Sequence, residues 1–296
     1  MHKGAAEKGE LLIGLTDQQN RQITVISMDL QAYEYTVAWH WSPSEEQGFC
    51  DTDRYTFPSD ARLRRHPQHG KEVLLTCASG GFCAIAQYPT GECVWQDTLD
   101  PHDNPHAIEL LPNGCVVIAA STGNFIRIYP ENSNQGYVQY DFIDAHGLLW
   151  DPDMQVLWAV GKSTLTAYEF SGSPSAPGLT ERRELRVRLP IANGHDVFAS
   201  YGNPDTLWVI SSAPFIYDKV LGKWDMDYPG SHQMLQANTK SCSSAGSISV
   251  QTIADGTWQI WDSAALHLYD SDTDKYIEVP LHTAVYRARI WNANYR

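Results

Sequence analysis

The sequence predicts an all-β fold: a six-bladed β-propeller forming a single domain over residues 1–296, closed by pairing its C-terminal strand with its N-terminal ones. Three observations lead there. Apolar runs are short and bounded by Gly, Asn, Asp, Ser and Pro, as strands between tight turns are. Few stretches carry the i, i+3, i+4, i+7 stripe of an amphipathic helix. A unit of four such runs also recurs along the chain, which is the make-up of one propeller blade.

The clearest unit runs His106–Leu111, Cys115–Ala120, Phe125–Tyr129 and Tyr137–Ile143, with turns at Pro112–Gly114 and Ser121–Asn124. The next reads His146–Trp150, Met154–Val160, Thr164–Phe170 and Glu184–Leu189, with Ser171–Gly178 expected as a loose outer loop. A third is His195–Ser200, Thr206–Ile210, Phe215–Asp218 and Lys223–Tyr228. Upstream, Ala61–Arg65, Glu72–Cys77, Phe82–Tyr88 and Glu92–Asp97 form a comparable unit. Downstream, so do Thr239–Ser243, Gly256–Trp261, Ala265–Asp270 and Lys275–Pro280. Three runs are left at the start (Glu10–Leu15, Gln22–Met28, Tyr35–Trp41) and one at the end, Val285–Trp291. Together they make the sixth blade, and the closure removes an open sheet edge that would invite aggregation.

Composition narrows the function. The formal net charge is −14, which argues against a nucleic-acid groove and against an anionic membrane surface, since both need clustered Lys and Arg. No run approaches the roughly 18 apolar residues of a spanning helix. Met1 to Glu10 is polar, without an apolar signal core. The six cysteines form no CxxC pair, and Cys77, Cys83, Cys93 and Cys115 sit in apolar runs. They read as reduced core thiols of a cytoplasmic protein.

The first strand of a propeller blade lines the central channel, so residues that open these strands converge on one axis. Three successive units open with histidine: His106, His146 and His195, spaced 40 and 49 residues apart. Imidazole is the commonest metal ligand near neutral pH, and three histidines with an open fourth position form a catalytic metal arrangement. Mn, Zn and Ni are equally compatible with it. His232 and Gln233 are candidates for the fourth position. The bland reading has each histidine bonded to backbone at its strand start. Other openings offer Asp60 and Arg62, Lys240, and on the closing strand Tyr286, Arg287 and Arg289, with Asp17 and Gln18 in a turn on the same face. Cations at a channel mouth suit an anionic or polyhydroxylated ligand. The bland reading pairs Arg62, Arg287 and Arg289 with carboxylates such as Asp60 or Asp196.

Leu12–Met28, Trp39–Pro43, Asn104–Tyr129 and Asp144–Trp150 together resemble an uncharacterised bacterial propeller family, catalogued only as a domain of unknown function. The resemblance spans most of the chain and implies the fold, without an activity. In placement, His106, His146 and His195, with Gln233 or His232, are similar to the site of oligogalacturonate lyase. That enzyme is a seven-bladed propeller whose axial manganese is held by three histidines and a glutamine; this chain departs in having six units. The likeness implies a metal-dependent carbohydrate lyase acting by β-elimination on a uronic-acid or keto-sugar glycoside. In that scheme Lys240 is the base, Arg287 and Arg62 stabilise the enolate-like charge and Asp60 belongs to the catalytic set. Arg289, Tyr286, Asp17 and Gln18 would bind the small saccharide. A metal-dependent glycoside hydrolase and a non-enzymatic sugar- or protein-binding propeller are the alternatives.

Overall fold

The computed structural model describes residues 9–296, and all but a few turns of it is strand, loop or tight turn. The polar stretch at residues 1–8 lies outside the described residues. Among the described residues no helix is long and apolar enough to cross a membrane.

The chain opens with the antiparallel strands β1 (Glu10–Asp17), β2 (Gln22–Asp29) and β3 (Glu34–Trp41). A four-stranded sheet follows, β4 (Pro58–Arg65), β5 (Glu72–Ala78), β6 (Phe82–Gln87) and β7 (Cys93–Thr98). The next holds β8 (Pro105–Leu110), β9 (Val116–Ala120), β10 (Phe125–Tyr129) and β11 (Val138–Asp141). Then come β12 (Gly147–Asp151), β13 (Val156–Val160), β14 (Thr164–Ser173), β15 (Ala176–Glu181) and the two-residue β16 (Val187–Arg188). After β17 (Gly194–Tyr201), β18 (Thr206–Ser211), β19 (Ala213–Asp218) and β20 (Lys223–Asp225), a short helix α1 (Ser231–Met234) leads to β21 (Thr239–Ala245), β22 (Ile248–Ile253), β23 (Ser263–Asp270) and β24 (Lys275–Ile290).

The last strand closes the molecule. The first part of β24 pairs with β23 and its end pairs with β1, from Ile13↔Ile290 to Asp17↔Val285. Terminal strands thus share one sheet, as the leftover three-plus-one count predicts. A short parallel contact, Ser200↔Ser244 and Tyr201↔Ala245, links β17 to β21 and merges their sheets.

Adjacent sheets bury apolar faces against each other. Val73, Leu75 and Ile85 meet Ile108 and Ile118, while Ala107 and Val117 meet Leu148 and Leu157. Ile23, Val25 and Trp41 meet Leu63 and Leu74. The inner strands β4, β8, β12, β17, β21 and the end of β24 lie side by side, and β24 touches β4 again. Their inward side chains are polar: β4 reads PSDARLRR and is buried through Arg64.

Three local expectations fail. Gly256–Trp261 is a loop, because the N–H groups of Thr257, Trp258 and Gln259 are taken by the carboxylates of Asp255 and Asp262 rather than by a neighbouring strand. The strand belonging there is β22, whose sequence ISVQTI has no apolar run. Ser171–Gly178 is a hairpin rather than a loop: Ser171 pairs with Gly178 and Ser173 with Ala176, leaving Pro174 and Ser175 as the turn. Glu184–Leu189 supplies only a 3-10 turn and β16.

Candidate active site at the channel mouth

Two backbone devices aim side chains at the axis. Each of five inner strands is preceded by a residue in the left-handed region: Phe57, Asn104, Asp144, Asn193 and Asn238, with φ of 54, 56, 56, 85 and 67°. Two residues on stand Ser59, His106, His146, His195 and Lys240. In four of these strands that residue is a β-bulge, without a partner on the neighbouring strand: Ser59, His106, His195 and Lys240. A bulge inserts one residue and re-aims its side chain, and bulges are common beside active sites.

The three histidines do converge. Ring centroids are 4.4 Å apart for His106 and His146 and 4.9 Å for His146 and His195. His106 Nδ1 lies 3.0 Å from the Asn104 carbonyl, and His146 Nδ1 lies 3.1 Å from that of Asp144 and 3.0 Å from its carboxylate. With a proton on Nδ1, each ring keeps Nε2 as its free acceptor. His195 differs. Its Nε2 is 3.2 Å from the Asn193 amide nitrogen and 3.5 Å from Lys240 Nζ, and its Nδ1 is buried with no partner.

Beneath this ring lies a buried charge network. Arg62 bonds Asp60 and Glu109 at 2.8 and 2.9 Å, and Arg64 bonds Glu109 at 2.8 Å. Arg289 grips Asp60 at 2.8 Å and Asp196 at 2.7 Å. Arg287 donates to the carbonyls of His106, His146 and His195, and its nearest carboxylate contact is Asp60 at 3.7 Å. Four guanidiniums thus face three carboxylates, and the guanidinium held by carbonyls lies directly below the imidazoles.

That charge bears on the ionisable groups around it. His106 is held well below the usual histidine value by burial, then by His146 and Arg287. His195 is lowered by burial, His146, Lys240, Arg287 and His106. Burial and Arg287 lower Lys240. Burial would raise Asp60, but Arg62, Arg289 and Arg287 outweigh it and hold the carboxyl ionised.

The expected mouth residues therefore separate into groups. His106, His146, His195 and Lys240 come together. Tyr286 joins them, edge-on to His106 at 5.7 Å. Asp60, Arg62, Arg287 and Arg289 lie inside the channel, at most 1% exposed, bonded to one another, to Glu109 and Asp196, and to carbonyls. The expectation that they stand free at the mouth is corrected. Asp17 and Gln18 are buried too: Asp17 accepts from Asn20, Gln22 and Thr283, and Gln18 bonds Pro58 and Trp261. His232 is exposed on α1, with no bond or ring contact to the three histidines. Gln233 Oε1 beside it is buried and unpartnered. Sequence reasoning missed Ser59, the equivalent of the histidines in β4; its hydroxyl donates to the Pro105 carbonyl at 2.6 Å.

The donors suit a divalent ion in kind, with two imidazoles preset and His106 and His195 neutral near pH 7. As arranged, no three His, Cys, Asp or Glu groups among the described residues are gathered to hold one. The obstacle is Lys240, which occupies the Nε2 side of His195. The far end of the channel is crossed by the C-terminal tail: Tyr201 and Arg64 bond the Asn294 carbonyl at 3.1 and 3.2 Å, and Tyr295 bonds that of Leu110. A cleft of about 470 Å³ beside this tail contains none of the histidines.

Sheets stacked around a polar channel, with a basic cluster at one mouth, define a propeller-like all-β protein. The chain belongs to the family of unknown function DUF6528, whose model matches residues 7–238. No curated protein matches. Among solved structures it is similar to a functionally unknown protein from Desulfotomaculum acetoxidans DSM 771, with TM-score 0.51 and 11% identity over 96% of this chain and 90% of that one. It is also similar to a catalytically inactive histidine-to-alanine variant of virginiamycin B lyase from Staphylococcus aureus with quinupristin. There the TM-score is 0.50 and the identity 14%, over 94% of this chain and 87% of that one. The site-level likeness to oligogalacturonate lyase finds no support in these relatives.

Proposed function

We propose that the chain is a six-bladed propeller whose histidine mouth is the active site of a carbohydrate lyase, breaking a uronic-acid or keto-sugar glycoside by β-elimination. The observation that carries this reading is the cluster of His106, His146, His195 and Lys240 above the carbonyl-held guanidinium of Arg287. Such a surface attracts a carboxylate and supplies a base. Burial and Arg287 increase the neutral fraction of Lys240, which then takes the proton from the carbon beside the sugar's carboxylate or carbonyl. The C–H electron pair becomes the C=C bond, the C–O bond to the leaving sugar breaks, and its oxygen takes up a proton. The charge of Arg287 favours the enolate-like state from below. The lyase among the fold neighbours loses catalysis when one histidine becomes alanine, which agrees with a histidine site on this fold.

A divalent ion, Mn, Zn or Ni, would be held by the imidazoles of His106, His146 and His195 and would polarise the substrate's carboxylate or carbonyl. A metal-free variant of the same reaction is favoured by one contact, Lys240 Nζ at 3.5 Å from His195 Nε2. The partner is a small saccharide, with no nucleic acid and no membrane. Six free cysteines support a cytoplasmic setting.

The test is incubation with uronate and keto-sugar oligosaccharides, with and without added Mn²⁺, Zn²⁺ or Ni²⁺, following the ultraviolet absorbance of an unsaturated product. New absorbance that is lost in His146→Ala supports the lyase. Reducing ends without absorbance point to a hydrolase. Neither product, with saccharide bound, leaves a binding propeller.

A further inference from the structure

The lip of the same mouth carries an aromatic cluster that the histidine site does not use. The ring of Phe57 lies 5.8 Å from Trp258 and 6.1 Å from Trp261. Both tryptophans sit in the loop between β22 and β23 and are 41% and 37% exposed, with Ile260 between them at 85%. A contiguous exposed apolar patch marks a contact site. The loop is firmly built. Buried Asp262 accepts the N–H groups of Trp258 and Gln259 at 3.1 and 2.8 Å, and Asp255 accepts those of Thr257 and Ala264 at 2.8 and 2.9 Å. Trp261 Nε1 donates to Gln18 at 3.0 Å, and Gln18 donates to the Pro58 carbonyl at 3.2 Å.

The backbone adds an independent sign. At the left-handed position before the inner strands, the other four residues are Asn104, Asp144, Asn193 and Asn238, types that tolerate this region. Phe57 occupies it at φ 54°. A bulky aromatic there is strained, and strain of this kind clusters at ligand sites. Along the chain Phe57 stands two residues before Ser59, whose hydroxyl bonds the carbonyl of Pro105, the neighbour of His106.

We propose that Phe57, Trp258 and Trp261 form a sugar-stacking subsite on the lip, taking the pyranose ring next to the one held over the histidines. This rests on reading the mouth as a saccharide site. A pyranose has an apolar C–H face as well as hydroxyls. Rigid aromatic faces supply the apolar half of such a site, while the histidines and Lys240 supply the polar half.

Calorimetric titration with a galacturonate trisaccharide and with galacturonic acid tests the subsite. The wild-type protein binds the trisaccharide at least about ten-fold tighter, the value of roughly 1.4 kcal/mol of added contact. Trp258→Ala removes that advantage and leaves the monosaccharide affinity unchanged. Phe57→Asn installs the residue type that Asn104, Asn193 and Asn238 place at this position, so the melting temperature holds or rises while the advantage disappears. A wild-type protein without the advantage, or both variants retaining it, overturns the subsite and leaves the histidine reading standing. A wild-type protein that binds neither sugar overturns the subsite and the saccharide reading together.

Discussion

Arg287 is tied to His146 through the main chain: its guanidinium donates to the His146 carbonyl oxygen at 3.1 Å and also bonds the carbonyls of His106 and His195. One side chain from the closing strand therefore fixes the starts of β8, β12 and β17 on the axis. Closure of the fold and assembly of the mouth are the same event.

Arg287→Met should be among the most damaging single changes. It leaves three buried carbonyls short of a donor, and each unmet buried polar group costs about 1–3 kcal/mol. It also leaves the rest of the charge network unbalanced. Arg287→Lys keeps the charge and part of the bonding, so it should cost less. Urea denaturation reads both; an Arg287→Met midpoint equal to wild type would remove the clamp from this account.

Gly14 in β1 offers a second probe of closure. A Cβ there would sit 2.3 Å from the Trp291 ring, the residue just beyond the end of β24. The indole is buried and cannot swing away freely. Gly14→Ala should cost about 1–3 kcal/mol through overpacking. Truncation after Ala284, which removes the pairing of β24 with β1, should prevent folding. A truncated chain with the native melting curve would refute closure by the C-terminal strand.

Acid should weaken the fold earlier than carboxylates alone would dictate. His106 and His195 are held neutral in the folded state, by burial first and by neighbouring imidazoles and Arg287 next. Their unfolded value is about 6.5. A depressed pKa gives stability that is complete above the unfolded value and lost as pH falls toward the folded one. The slope approaches about 1.4 kcal/mol per pH unit for each histidine. Asp60 is also depressed and has the same sign, but its window opens below about 3.9. The urea midpoint should fall between pH 7 and 5, and a His106→Gln, His195→Gln double variant should flatten it. A flat wild-type profile would contradict the assigned directions.

Much of this was legible in the sequence, and the exceptions share a cause. Strands with apolar runs are readable because burial on both faces leaves that pattern, as in β9 and β13. The histidine register is readable because the blade repeat places His106, His146 and His195 at equivalent turns. What stayed hidden depends on partners remote in sequence. For Arg289 the sequence left two readings, a cation at the mouth or a partner of Asp60 or Asp196, and only the fold, which brings Asp60 from 229 positions away to its guanidinium, decides for the second. Inward residues of the innermost strands face a polar channel, so alternation cannot tell a mouth residue from a buried pair. Ser59 went unnoticed because a serine, unlike the histidines and Lys240 at the matching positions, is a common strand and turn residue with nothing to single it out. The β22 strand was missed because ISVQTI holds no continuous apolar run, and the Trp258–Trp261 stretch beside it imitated a strand.

The last prediction separates the two forms of the lyase reading through Lys240. If the three imidazoles hold an ion, the ammonium at 3.5 Å from His195 Nε2 competes with it for that nitrogen. Lys240→Met should then raise zinc affinity, because it removes the ammonium that competes for that nitrogen. His106→Ala, His146→Ala and His195→Ala should each lower it at least as much. Affinity should hold until pH falls well below the usual histidine value of about 6.5, because burial keeps His106 and His195 neutral there and only neutral imidazole binds metal. Calorimetric titration of chelator-treated protein with Zn²⁺ reads all of this without requiring turnover. If His146→Ala takes up zinc as the wild-type protein does, the imidazoles are not the ligands. Lys240 is then the base of a metal-free elimination, Lys240→Met abolishes turnover, and chelation leaves the wild-type rate unchanged.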